Sequence, residues 1–201
     1  AGTLVPALLS LVAADARGWL RGTTVMHAGM LFCAVGAAAT AHYYAAIFEA
    51  ITIGLALGGM NIVMESLQDR CGRVELAGLG GRARALPRLC AAFAIFGAAG
   101  VGLPGTAGFI ADDLLLHALW EESKLASALV VVGTCILAVG TLAAWSKVFL
   151  GPPRSTLAPD LGPRERIAVI LHVAALLLIG LAPQVLMNPM TAVLAAAPGG
   201  H

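Results

Sequence analysis

Two adjacent carboxylates, Asp112 and Asp113, stand just beyond a run of helix-breaking residues in the stretch Val101-Gly-Leu-Pro-Gly-Thr-Ala-Gly-Phe-Ile-Ala-Asp-Asp-Leu-Leu-Leu-His117. Apolar sequence flanks it on both sides. Pro104 removes a backbone donor and clashes with the preceding turn, while Gly102, Gly105 and Gly108 tolerate the dihedrals of an unwound segment. A helix broken at membrane depth with an acid beside the break is the signature of an ion pathway. The chemistry such an acid offers is proton exchange. Asp112 is the first candidate, because burial and the positive end of the restarted helix act on its proton affinity in opposite directions. A plainer role is to cap the second half-helix, as aspartate commonly does. Asp113 has a further alternative, a pair with His117 four residues on.

Two more ionisable residues stand alone in apolar stretches, His27 and Glu49. Histidine titrates near neutral pH and is a natural relay, although a lone membrane histidine also serves by bonding a neighbouring carbonyl or hydroxyl. Glutamate is costly to bury, but Glu49 lies about a turn from Tyr44 and has the option of snorkelling to the interface. Lys147 sits near a helix end, where snorkelling is the stronger alternative. Arg17 falls in a loop and does not release a proton. The expected proton-transfer set is therefore Asp112, Glu49 and His27, with Asp113 and His117 as secondary members. Gly102, Pro104, Gly105 and Gly108 form the break.

No nucleophile–base constellation, metal-ligand spacing, nucleotide fingerprint or haem motif accompanies them, so no catalytic centre for covalent chemistry, no cofactor and no metal are expected. The glycine run at 78–81 follows no strand and precedes no P-loop lysine, which makes it a flexible turn rather than a phosphate cradle. Cys33, Cys71, Cys90 and Cys135 show no pairing pattern and read as small packing residues.

The elements that must position these side chains follow from composition. The chain has 201 residues, 59% of them hydrophobic and 11% charged, with mean hydropathy +0.90. A soluble domain carries about 25% charged residues, so an integral membrane protein is the class that fits. A net charge of +1 argues against nucleic acid as a partner. The start Ala1-Gly-Thr-Leu-Val, without Met or a basic region, reads as a helix already in progress and as the C-terminal half of something longer.

Residues 4–14 are apolar but too short to cross a core of about 30 Å. Spans follow at 23–41, 45–64, 125–150 and 167–182, with the interrupted stretch at about 84–120. The predicted fold is an all-α, polytopic transmembrane bundle over 1–183, about five to six spans with one discontinuous helix, and a tail over 184–201. If the halves of the interrupted stretch crossed separately, the arginine-rich loop at 151–166 would lie opposite those at 15–21 and 66–88. As one broken crossing, all three share a side, with the turns at 41–44 and 121–124 on the other. The positive-inside rule selects the single broken crossing.

Gly102-Leu-Pro-Gly-Thr-Ala-Gly-Phe-Ile-Ala-Asp112 resembles the "GLPGTxGFxGE" segment of the antiporter-like membrane subunits of respiratory complex I, related to multisubunit cation/proton antiporters and membrane-bound hydrogenases. Thr23-Thr-Val-Met-His27-Ala-Gly is similar to "YSSISHMG", and Asp15-Ala-Arg17 to "DLK". Leu79-Gly-Gly-Arg-Ala-Arg-Ala-Leu-Pro87 is similar to "LGGLxxxMP", and Trp145-Ser-Lys147-Val-Phe-Leu-Gly151 to "RxxFG". The match spans about residues 15 to 183 and corresponds to the second half of such a subunit. It departs at Asp112, shorter than the usual Glu, at Ala111 in place of Gly, and at Glu49 and Ile53, where the family usually has a His and then a Lys. The resemblance implies proton translocation in a redox-coupled NADH:quinone oxidoreductase-type complex of a bacterial inner membrane. Its partners would be other membrane subunits, lipid and protons, with any redox chemistry in those subunits. Cation/proton antiport, a membrane hydrogenase, inorganic-carbon uptake and a non-transporting scaffold remain alternatives.

Overall fold

The computed structural model describes residues 2–36, 40–77, 80–152 and 159–196. Helices carry the fold: α1 Leu4–Leu11, α2 Ala16–Gly36, α3 Thr40–Thr52, a π-helical turn at Ile53–Leu57, α4 Gly58–Cys71, α5 Pro87–Gly100, α6 Ala107–Glu122, α7 Lys124–Phe149, α8 Pro163–Leu181 and α9 Gln184–Ala196. Beside them, among the described residues, stands one isolated antiparallel bridge between Asp15 and Glu75. This is an all-α membrane-protein fold. By length and hydropathy, Tyr43–Cys71 and Lys124–Phe149 are each able to cross a bilayer, and Pro163–Leu181 with Gln184–Thr191, bent by 65°, has the form of a broken span or a re-entrant loop.

Several boundaries differ from expectation, each for a local reason. Helix α2 starts at Ala16, so Arg17 and Arg21 lie on a helix and not in a loop. Asp15 caps it, its Oδ1 accepting the Gly18 N–H at 2.8 Å, which satisfies one of the orphan donors of the first turn. Residues 65–70, expected in a polar connection, continue α4 to Gly72, whose φ of +67° ends it. The supposed tail contains α9, which resumes after Pro183. Arg154, Gly78, Leu79 and residues 197–201 lie outside the described residues.

The break between α5 and α6 is built from two successive turns. The Gly102 N–H donates to Ala99 and the Leu103 N–H to Ala98, at 3.3 and 3.0 Å. With Gly102 at φ +73°, this is the Schellman ending of a helix. Leu103 to Thr106 then form a second turn closed by the Thr106 N–H on the Leu103 carbonyl at 3.2 Å. Pro104 and Gly105, at φ +92°, fill the positions that a type II turn assigns to proline and glycine. The N-cap Thr106 turns its hydroxyl back to Leu103, at 2.8 Å, so no side chain caps α6.

Hydrogen bonds gather the three arginine-rich connections at one end of the bundle. Ala16 and Val74, and Leu76 and Ala14, are joined through their backbones at 2.9 and 2.8 Å. The backbone N–H groups of Gly80, Gly81 and Ala83 reach carbonyls at the end of α7. Arg70 holds Glu165 through both guanidinium nitrogens, at 2.6 and 3.0 Å, and the Pro159 carbonyl at 2.7 Å. Helix α5 starts at this end, where Asp160 accepts the Arg88 N–H at 2.7 Å. Helix α6 ends one residue before α7 begins, and α7 returns to the arginine end. Thus α5 and α6 together traverse the bundle once, from the arginine end to the other.

Two hydrophobic clusters fill the bundle. One, toward the arginine end, is built on Trp19, Met60, Met64, Phe93, Phe96 and Phe149. The other holds Ala7, Met26, Met30, Ala45, Leu115 and Leu137. On α2, the α3–α4 helix and α6 alike, an ionisable residue sits between members of the two clusters. Those residues are His27, Glu49 and Asp112.

Candidate functional site

His27 of α2 and Glu49 of α3 form a buried pair, Nδ1 to Oε1 at 2.8 Å, with 2% and 1% of their side chains exposed. Among the described residues Glu49 Oε2 has no hydrogen-bond partner, and His27 Nε2, which faces the backbone of Gly100, makes no well-formed hydrogen bond. Buried polar atoms are almost always partnered, by protein or by ordered water. Both atoms retain hydrogen-bonding capacity. Glu49 does not snorkel; it points inward.

The end of α5 lies between this pair and Asp112. A methyl built on Gly100 would stand 3.7 Å from His27 Nε2, and one on Gly102 would overlap the Asp112 carboxylate. Asp112, partly buried, interacts electrostatically with both Glu49 and His27. Two glycines on one short segment thus face the two halves of the site. Gly108 brings the half-helices together, for a methyl there would strike the Ala99 carbonyl and approach Thr52 of α3 at 3.4 Å. From the other side Gly180 of α8 packs on the backbone of Gly105 and Thr106. Among the described residues no group of three or more His, Cys, Asp or Glu is placed to hold a metal ion. The arrangement is suited to passing protons through intervening water.

A cavity of about 10 Å³ adjoins the site, lined by Trp19, Thr23, Gly100 and Thr141 among others, room for about one water molecule. Trp19 Nε1 is also buried without a hydrogen-bond partner among the described residues. Trp19, in a stretch expected to be a loop, stacks on Phe93 at 5.1 Å and lies inside the bundle.

The other expected residues lie apart. Asp113 and His117 form their own i,i+4 pair at 3.5 Å, 55% and 80% exposed. The capping alternative fails for both aspartates, because α6 begins at Ala107 and they fall beyond its first turn. His172 of α8 went unremarked in the sequence, although it is an ionisable residue inside an apolar span. It meets Phe96 edge-on at 6.3 Å and approaches Gly58, just after the π turn. Asn61 donates to the Leu57 carbonyl at 2.9 Å, steadying that turn from within the helix.

The chain is similar in sequence and fold to known membrane proteins. The family described as NADH:quinone oxidoreductase/Mrp antiporter, TM, matches residues 1–137. NADH-quinone oxidoreductase subunit M of Escherichia coli (strain K12) is 24% identical over 191 residues, 93% of this chain and 38% of that protein. The subunit of the same name from Rhodobacter capsulatus is 27% identical over 185 residues, 90% of this chain and 36% of that protein. A chain of respiratory complex I from Thermus thermophilus with bound NADH superimposes with a TM-score of 0.84 at 28% identity, over 90% of this chain and 39% of that one. A chain of the Mrp complex from Dietzia sp. DQ12-45-1b gives 0.86 at 19% identity, over 92% and 43%, a likeness of fold. The chain thus spans well under half the length of the relatives it matches.

Proposed function

Because this chain belongs to the NADH:quinone oxidoreductase/Mrp antiporter transmembrane family, we propose that it is part of a proton-translocating subunit of a redox-coupled membrane complex. The observation that carries the proposal is the buried His27–Glu49 pair facing Asp112 across the break. Two residues of opposite potential charge are buried together, and among the described residues each keeps one polar atom without a well-formed hydrogen bond. A merely structural pair would be expected to satisfy those atoms within the protein.

In this mechanism Asp112 takes up a proton beside the unwound backbone, where irregular structure requires a polar, wettable surrounding. Water carries that proton around Gly100 to Nε2 of His27. Glu49 stabilises the resulting imidazolium through the 2.8 Å contact with Nδ1. Release restores the neutral ring. Asp113 and His117, exposed on the same helix, serve as a peripheral pair for exchange with whatever adjoins α6. Oxidation and reduction would take place in partner subunits, with the assembly in a bacterial inner membrane. The bundle contributes five to six spans over residues 1–183.

The test is proton uptake by vesicles containing the whole complex. Asp112→Asn should lower uptake at least tenfold while the complex assembles normally. Undiminished uptake would sink the assignment. If a variant neutralised at Asp112, His27 and Glu49 together supports full coupled activity, the chain is a scaffold and not a conductor.

A further inference from the structure

Between α5 and α8 runs a groove of about 550 Å³ whose walls are apolar except at one end. On α5 its lining includes Arg88, Ala91 and Ile95, spaced i, i+3 and i+7; on α8 it includes Arg166, Val173 and Leu177, spaced i, i+7 and i+11. Both stripes lie on one helical face. Both begin with an arginine and continue apolar. From Arg166 to Leu177 the rise is about 16 Å, close to half of a hydrocarbon core of about 30 Å. We propose that this groove binds an anionic glycerophospholipid, its phosphate held by Arg88 and Arg166 and one acyl chain laid along the apolar walls toward Leu177.

The charges support a lipid of this kind over a neutral one. Arg70 is held by Glu165 and Arg73 by Asp15. Arg88 and Arg166, both exposed, make no ion pair among the described residues. The nearby Asp160 keeps its negative charge but turns its carboxylate to the backbone N–H groups of Arg88, Leu89 and Leu161 and makes no ion pair with the Arg88 guanidinium among the described residues, so the two arginines still leave a positive surplus here. Two guanidiniums are thus left at the mouth of an apolar channel, at the bundle end where the other arginine-rich connections gather. Guanidinium forks match phosphate oxygens in geometry as well as charge. Basic pockets between membrane helices on the arginine-rich side are suited to anionic headgroups. Ala91 and Ala174 leave the room in which a chain lies.

Native mass spectrometry of the complete complex, exchanged into mixed micelles of phosphatidylglycerol and phosphatidylcholine, tests the site. The wild type should retain phosphatidylglycerol preferentially. The double variant Arg88→Gln/Arg166→Gln should lose that preference at least tenfold. Ala91→Trp, which keeps both charges and fills the groove, should reduce retention as well. Circular dichroism of each variant checks that the helices persist. Equal retention by the double variant, no preference in the wild type, or a photocrosslink from Ile95 to another protein segment instead of lipid would each overturn the proposal.

Discussion

The carboxylate of Asp112 fills the space that a side chain at Gly102 would need. Gly102 also holds φ +73° to end α5, so one glycine both terminates a half-helix and makes room for the acid. Gly102→Ala therefore meets two obstacles. The left-handed conformation costs an L-residue about 1–2 kcal/mol, and the new methyl displaces the carboxylate. Lowered thermal stability together with weakened proton uptake is expected, and a normal Tm with normal uptake would refute the coupling.

The buried pair responds differently to removal and to neutralisation. His27→Ala leaves the buried Glu49 carboxylate without its hydrogen-bond donor, and stranding a buried charge typically costs about 3–5 kcal/mol. Glu49→Gln keeps the size and one hydrogen-bond acceptor for His27 Nδ1, so it should disturb Tm much less while cutting uptake severely. Chemical denaturation of both variants and of the double variant closes a mutant cycle. Additive losses would show that the 2.8 Å contact is not energetically coupled.

Asp113 and His117, the peripheral pair on the same helix, should matter far less than Asp112. Their pair is more than half exposed, and exposed pairs contribute little. Asp113→Asn should change stability by no more than about 0.5 kcal/mol and uptake by less than about twofold, against the tenfold loss expected for Asp112→Asn. Equal losses at both positions would move the pathway to the outer face of α6.

Helix α8 covers the break through Gly180, which sits on the backbone of Gly105 and Thr106. Backbone cannot yield as a flexible side chain does, so Gly180→Val should push α8 away from the unwound turn. Faster hydrogen exchange at Leu103 and Thr106 would report the loosening. Unchanged protection of both amides would show that the turn holds its shape without α8.

Local chemistry made part of this legible in advance. The break could be read because Gly102, Pro104 and Gly105 act on their own backbone, and the loop arginines because charge sorts across a membrane without reference to packing. What depends on partners could not be read. Nothing local to His27 announces Glu49, which lies 22 residues away on another helix. Nor does any nearby residue show that Glu49 faces inward, or that Trp19 belongs to the core. Asp15 is a nearer miss: its role in starting α2 uses an ordinary N-cap pattern, obscured by the arginines that follow.

The π turn at Ile53–Leu57 gives the helix bearing Glu49 a different kind of property. The Gly58 N–H reaches back five residues to the Ile53 carbonyl, so this turn accommodates one more residue than a regular one. In the language of insertion and deletion, the span carries a spare residue. Losing one residue between 53 and 57 would let the helix close regularly instead of snapping it. Ile53, which occupies the position where the family's lysine is expected, is the first residue of that slack.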